Sequence, residues 1–225
     1  MKTNSEIRQE SLAFMKGNWG SGLLVTFMFL ALVSLCSATA SYSGITLGEL
    51  ALGVAVPQMQ VFGESFSILV SILVIWPLSF SLIKLFLNFV RQEEKLTVKG
   101  MFKGFKKPYY GKSIGLYFLT VIFTMLWTLL LIVPGIIKSL SYALAPYILA
   151  DNPELTANQA INRSMEMMKG HKMDLFLMWL GYMGFALLSI LALGIPLLWL
   201  YPYYQTVMAK FYEEIKSENE VVVCE

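Results

Sequence analysis

Long runs of apolar residues, separated by short polar segments, are the main pattern along this chain. Positions 20–40 contain no charged residue, and a helix rising 1.5 Å per residue over such a run covers the roughly 30 Å hydrocarbon core of a bilayer. A second run occupies positions 66–90, where Pro77 interrupts it and Lys84 lies near its far end, within reach of lipid headgroups. Each run predicts one membrane-spanning helix.

Two further runs, 114–150 and 174–212, are too long for a single crossing. Pro134-Gly135 lies inside the first and Gly194-Ile195-Pro196 inside the second, and both favour a turn. The pattern predicts an all-α, polytopic transmembrane helical bundle of about six helices, arranged as three hairpins in one membrane domain over 1–225. The predicted spans are 20–40, 66–90, 114–133, 136–150, 174–193 and 197–212. The sequence leaves open whether the short segments 136–150 and 197–212 cross fully.

Lysine and arginine residues lie mostly between these runs. They are densest in 91–112, and they recur in the leader, in the segment after Ala150 and in the tail, whereas 41–65 and the two turns contain none. Short loops rich in lysine and arginine stay in the cytoplasm. We therefore predict a multi-pass protein of a bacterial plasma membrane, with cytoplasmic N- and C-termini.

Two segments between the predicted hairpins have amphipathic patterns. In 156–169, Thr156 is a predicted N-cap and Gly170 a predicted helix stop. In the basic loop 91–112, an apolar stripe is opposed by Lys99, Lys103, Lys106 and Lys107. Such helices either lie on the anionic inner leaflet or pack against other loops, and both interpretations predict a cytoplasmic location. A methionine or phenylalanine followed by Lys-Gly occurs three times, with the lysine at Lys16, Lys103 and Lys169. A basic residue followed by glycine is typical of the end of a helix.

The composition agrees with a membrane protein and limits its chemistry. Hydrophobic residues make up 56% of the 225 residues and charged residues only 14%. Cys36, Cys224 and the single His171 are too few for a thiolate or histidine metal site, so we expect no metal and no cofactor. The interiors of the predicted spans lack Asp, Glu and His, and no hydrolase or phosphate-loop motif occurs, so we expect no enzymatic activity and no nucleic-acid partner.

Broken helices could instead bind a small solute through backbone groups that the breaks leave free. In the alternative interpretation, the same prolines make turns and kinks and the tyrosines belong to an interfacial aromatic belt. The candidate solute-binding or hinge residues are Pro134, Gly135, Tyr142, Pro146, Gly194, Pro196, Tyr201 and Pro202. Pro146 also predicts a break within the fourth span.

A second group of candidates lies on the predicted cytoplasmic surface. Asp151-Asn152-Pro153-Glu154 has the composition of a turn before a helix, which predicts a structural elbow. If this region binds a ligand instead, Arg163 and His171 would face an anionic headgroup or the acidic loop of a partner. The candidate surface residues are Lys99, Lys103, Lys106, Lys107, Asp151, Asn152, Arg163 and His171.

Several of these segments resemble an uncharacterised bacterial integral membrane family, domain of unknown function nine-seven-five. The resemblance covers nearly the whole chain, and its most specific parts are Ala150-Asp151-Asn152-Pro153 and Lys169-Gly170-His171-Lys172. It implies a polytopic membrane protein and no particular activity. The other matching segments are 12–19, 134–138, 141–143, 147–149, 167–168, 175–176, 194–195, 202–203 and 211–212.

Together these features favour a scaffold, partner-binding or lipid-sensing membrane protein whose basic inner face is the working surface. Its expected partners are the bilayer, with its anionic inner-leaflet lipids, and another membrane protein or a second copy of the chain. The competing hypothesis is a small-solute transporter or channel subunit with its site at the broken helices.

Overall fold

The computed structural model describes residues 2–42, 68–191 and 194–223, and this part of the chain is helical without strands. A π-helical turn at Ser71–Ile75 leads into α3, and a 3₁₀ helix at Val98–Phe105 precedes α4. The α-helices are α1 (Asn4–Met15), α2 (Trp19–Tyr42), α3 (Trp76–Val90), α4 (Tyr109–Leu130), α5 (Ile132–Tyr142), α6 (Ala145–Asp151), α7 (Ala157–Met167), α8 (Lys172–Leu191) and α9 (Leu197–Val223). The predicted all-α class is confirmed.

Four segments within the described residues are long and apolar enough to cross a membrane: Trp19–Cys36, Ile68–Val90, Tyr109–Leu130 and Ile132–Asp151. Residues 174–191 of the predicted span 174–193 lie in α8, and the predicted span 197–212 lies in α9. Neither helix is among these four. Residues 192–193 lie outside the described part of the chain. Helix α8 starts with Lys172 and Asp174, and α9 includes Lys210 and several acidic residues. The described residues therefore contain four candidate membrane spans, and the six-span arrangement stays a prediction.

The turn between α4 and α5 lies at Leu131, not at Pro134-Gly135 as predicted. Leu131 has extended backbone angles, φ −162° and ψ 142°, and α5 begins at the next residue. Pro134 fits the first turn of α5 because backbone N–H groups there have no partner within the helix. A β-carbon on Gly135 would lie 2.3 Å from Thr128 Oγ1, so Gly135 allows α4 and α5 to pack closely.

The predicted span 136–150 consists of two helices. Helix α5 ends at Tyr142, and α6 begins at Ala145 with Pro146 in its first turn. Proline cannot donate the hydrogen bond that would continue a helix across this point. The break that Pro146 predicts is present.

Helix α3 is surrounded by protein. Buried side chains occur on all its sides, including Leu78, Phe80, Leu85, Phe86 and Phe89, and α3 packs against the 3₁₀ helix, α6 and α9. A helix that is apolar all round is typical of either a membrane span or the centre of a protein core. Between Trp76 and Val90, protein neighbours provide the burial.

Helix α4 differs from α3 because most of its apolar surface is exposed. Met125 is 69% exposed, Leu129 83% and Leu130 71%, whereas Ser113 and Leu116 near its start are buried. The exposed apolar surface continues into α5 at Ile132. A surface of this kind is unfavourable in water, and a bilayer would cover it.

Gly135 provides a test of the α4–α5 packing. We expect Gly135→Ala to destabilise the protein by about 1 to 3 kcal/mol, because the new methyl group would push against Thr128. The matched control is Gly184→Ala in α8, where a β-carbon meets no atom within 4 Å. Thermal unfolding in a neutral detergent checks both variants, and equal transition temperatures would contradict the proposed close packing.

Candidate functional site

Polar contacts between α1 and α9 show that the two helices run antiparallel. The backbone N of Lys2 donates to Glu214 Oε1 at 2.7 Å, and Lys210 Nζ lies 3.4 Å from Glu10 Oε2. At the other end of α1, Met15 Sδ accepts a hydrogen bond from Thr206 Oγ1 at 3.4 Å. The start of the chain and the second half of α9 therefore lie at the same end of the molecule.

Arg91 connects three segments at this end. Its Nη1 atom donates to Asp151 Oδ1 at 2.6 Å, at the end of α6, and its Nε atom donates to Glu213 Oε1 at 2.8 Å in α9. Partial burial lowers the pKa of Arg91, but the hydrogen bonds to the two carboxylates outweigh this effect and raise the pKa above its ordinary value. The guanidinium group is a permanent charge in this cluster.

Asp151 is the central acceptor of the cluster. Its Oδ2 atom accepts from Lys216 Nζ at 2.7 Å and from Tyr212 OH at 3.0 Å, and its side chain is 11% exposed. Asn152 donates through Nδ2 to Ile148 O at 3.1 Å, which closes the end of α6. Lys112 Nζ also donates to Pro153 O. These contacts support the structural-elbow interpretation of Asp151 and Asn152.

His171 and Arg163 lie further along the same part of the fold but in different surroundings. His171 lies 3.9 Å from Asp174 and 3.8 Å from Glu218, and its side chain is 17% exposed. Arg163 is exposed on α7. At the start of this helix, Thr156 and Gln159 form a complete capping box. The predicted N-cap is therefore present, while the candidate residues Arg163 and His171 are not joined in one site.

A basic strip, defined here as Lys99, Phe102, Lys103, Lys106 and Lys107, forms the outer face of the 3₁₀ segment and of the residues that follow it. All five side chains are exposed, and Phe102 is 46% exposed. Lys103 pairs with Glu94 at 2.5 Å. Across the described ranges, Lys99, Lys106 and Lys107 make no ion pair.

Two glycines hold the opposite face of this segment against α3. A β-carbon on Gly100 would lie 2.5 Å from Leu85 Cδ1, and one on Gly104 would lie 2.2 Å from Ser81 Oγ. The backbone N of Gly104 donates to Ser81 Oγ at 2.7 Å. At these two positions the backbone lies so close to α3 that no side chain larger than that of glycine fits.

Gly104 therefore differs from the glycines of the other Lys-Gly pairs. Gly17 and Gly170 have φ values of +88° and +90°, the left-handed conformation that favours glycine after a helix. Gly104 lies inside the 3₁₀ helix, and a close approach requires it. The shared sequence thus corresponds to two different structural roles.

The chain matches the family model described as "Protein of unknown function (DUF975)" at residues 1–139 and 128–219. It belongs to this DUF975 family. No curated protein and no solved structure matches the chain. The DUF975 assignment agrees with the resemblance seen in the sequence, and it gives no activity, so the function has to be argued from the site.

In this DUF975 protein the candidate solute-binding residues are divided among several interfaces. Tyr142 is buried, with its ring centre 6.3 Å from that of Phe123 in α4. Tyr201 stacks on Phe29 of α2 at 5.7 Å. Pro134 and Gly135 belong to the first turn of α5, and Pro146 belongs to the first turn of α6. Gly194 (φ +75°) and Pro196 lie in the turn before α9. Pro202 is buried inside α9 near Gly22.

A cavity of about 250 Å³ lies between α5, α8 and α9. Its lining is mainly apolar and includes Ile136, Leu140, Phe176, Trp179, Tyr204 and Met208. None of the candidate solute-binding residues contributes to this lining. Sequence inspection missed the cavity because its walls come from three helices, and no motif marks them.

Asp151→Asn tests the cluster around Arg91. We expect a loss of about 2 kcal/mol or more in stability, because the substitution leaves Arg91 and Lys216 with less compensating charge in a partly buried place. Asp174→Asn is the matched control, since Asp174 is 44% exposed and its only ion pair in the described residues is a 3.9 Å contact. Thermal unfolding of both variants in detergent checks the difference, and similar losses would argue against a special role for Asp151.

Proposed function

We propose that this protein is a scaffold of the bacterial plasma membrane that senses anionic lipids of the inner leaflet through the basic strip. The observation that supports this proposal is the arrangement of Lys99, Lys106 and Lys107 beside the exposed ring of Phe102. Lysines attract anionic headgroups, while an aromatic ring is favourable at the boundary between headgroups and acyl chains. No catalytic step is part of this proposal.

The position of the strip along the chain also favours contact with headgroups. Lys107 precedes α4 by one residue, Pro108, and α4 carries the exposed apolar surface. Positive charge at the point where an apolar helix begins lies where phosphate groups meet hydrocarbon. The strip is therefore placed to respond to the charge of the leaflet that α4 enters.

The strength of such an interaction can be bounded. Each lysine near an anionic leaflet contributes about 1 kcal/mol at physiological salt. The three strip lysines that make no ion pair in the described residues, Lys99, Lys106 and Lys107, would together contribute about 3 kcal/mol. That is enough to change the preference for anionic over zwitterionic lipid, yet weak enough to depend on salt and leaflet composition.

Solute transport is the second candidate function, and the cavity between α5, α8 and α9 favours it. The break between α5 and α6 lies beside this cavity at Ala143, and a broken helix leaves backbone groups free to hold a solute. Purified protein in liposomes should then give a solute flux that Trp179→Ala reduces. A broad flux screen without signal would leave the scaffold function as the better explanation.

Lys106→Gln/Lys107→Gln tests the basic strip. We expect the double variant to require roughly thirtyfold more phosphatidylglycerol than wild type for half-maximal thermal stabilisation in neutral-detergent micelles, because two unpaired charges of about 1 kcal/mol each are lost. The effect should shrink as salt is raised, and phosphatidylcholine should stabilise both proteins equally.

The matched control for this double variant is Arg163→Gln/Lys169→Gln, which removes two exposed cations near α7. We expect this control to respond to phosphatidylglycerol as the wild type does. Equal losses in the two double variants would mean that total charge, and not the strip, determines the response. That result would refute the proposed lipid-sensing surface.

The proposed orientation can be tested by cysteine labelling in whole cells. In a background with Cys36→Ala and Cys224→Ala, an impermeant maleimide should label Ile195→Cys, which lies beside Gly194 and replaces a side chain that is 57% exposed. Lys106→Cys and Asn158→Cys should react only after the cells are opened. Labelling of Lys106→Cys from outside would reverse the proposed orientation.

A further inference from the structure

Arg8 reaches from α1 to the backbone of α8. Its Nη2 atom lies 3.5 Å from both Leu177 O and Met178 O. A β-carbon on Gly181 would lie 2.6 Å from the same nitrogen. Glycine at this position therefore makes room for a guanidinium group against an otherwise apolar helix.

The charge of Arg8 is not balanced by a carboxylate within the part of the chain that the structure describes. Glu6 and Glu10, the acidic residues of α1, are each two positions from Arg8 and so point to other sides of the helix. Glu10 pairs with Lys2 at 2.7 Å and with Lys210 at 3.4 Å. The two carbonyl contacts of Arg8 are long, and Arg8 is only partly exposed. A partly buried cation with weak partners is stabilised by an anion that enters from outside.

A narrow cleft of about 40 Å³ opens beside this guanidinium group. Tyr182, Tyr203 and Tyr204 line it together with Met178, Phe185 and Leu200. The volume suffices for about three groups of the size of a water molecule. It can hold the oxygens of a phosphate group, and a larger ligand must extend out of the cleft.

The surface outside the cleft is apolar. Leu177 is 49% exposed, Leu180 is 51% exposed and Phe185 is 61% exposed, all on α8. A soluble anion such as inorganic phosphate would gain nothing from these side chains. An acyl chain would bury them.

We propose that Arg8 and the tyrosines of this cleft bind the phosphate of one anionic phospholipid, whose acyl chains lie along the exposed face of α8. Tyrosine hydroxyl groups and a guanidinium group are both suitable donors to phosphate oxygens. This inference rests on the proposed lipid-sensing function for its class of ligand. It uses different residues, so that either can fail without the other.

The two kinds of lipid binding differ in what they predict. The basic strip attracts many headgroups diffusely and weakens with salt, whereas the Arg8 cleft holds one lipid that should survive purification. Native mass spectrometry of the full chain, released from neutral detergent, counts retained lipids one by one. The probe is phosphatidylglycerol added to delipidated protein, with phosphatidylcholine as the zwitterionic comparison.

We expect wild-type protein to retain one phosphatidylglycerol and Arg8→Gln to bind it roughly tenfold more weakly or worse, because a charged hydrogen bond to the phosphate is lost. Tyr203→Phe removes a single hydroxyl group and should weaken binding by a smaller factor. The Tyr203→Phe variant still tests the site if Arg8→Gln does not fold. Lys106→Gln/Lys107→Gln, the strip variant, should retain the lipid as the wild type does.

Four results would overturn the Arg8 site. One is undiminished retention of phosphatidylglycerol by folded Arg8→Gln and Tyr203→Phe. Another is equal retention of phosphatidylcholine, which would show that the anionic headgroup is not recognised. The third is displacement of the lipid by glycerol phosphate at the same concentration, which would assign the cleft to a soluble anion. Loss of lipid in the strip variant alone would also assign the retained lipid to the strip rather than to the cleft.

Discussion

The ion pairs of Arg91 with Asp151 and Glu213 join three parts of the chain that lie far apart in sequence. Moving these charges out of water costs free energy, and the cost is offset only because the polar atoms find partners. Asp151 accepts from Arg91, Tyr212 and Lys216. Arg91 follows α3, the central helix of the core, and Glu213 belongs to α9, on which α1 packs. The cluster therefore fixes one end of the bundle, and the placement of α1 and of the elbow after α6 depends on it.

This arrangement separates polar from apolar surface along the molecule. The charged cluster, the start of α1 and the second half of α9 lie at one end, while the α4–α5 turn at Leu131 is apolar and exposed. Arg8 and the basic strip occupy positions from which exposed apolar surface extends, along α8 and α4 respectively. Such a gradient from charge to hydrocarbon matches the gradient across one leaflet of a membrane.

Local chemistry was readable from the sequence, and contacts between distant segments were not. Thr156 and Gln159 form a capping box because residues three apart at a helix start can bond each other's backbone, so the helix start was predictable. The turn after α4 was misplaced because the predicted turn residue, Gly135, is needed for contact with Thr128 instead. Arg91 and Asp151 lie 60 residues apart, and no local pattern pairs them. Arg8 was likewise not singled out, since its setting depends on Gly181 in another helix.

The two apolar helices α3 and α4 show what hydropathy measures. Their sequences are similarly apolar, yet α3 is enclosed by protein and α4 is mostly exposed. An apolar run indicates only that water is excluded from a helix; the packing decides whether protein or lipid excludes it. In the described residues, exposed apolar side chains occur on α2, α4, α5 and α8, for example Phe27, Leu130, Ile132 and Phe185. The basic strip leads into α4, and the Arg8 cleft lies beside α8. In our proposal a lipid is therefore the ligand whose charged and apolar parts each find a matching surface.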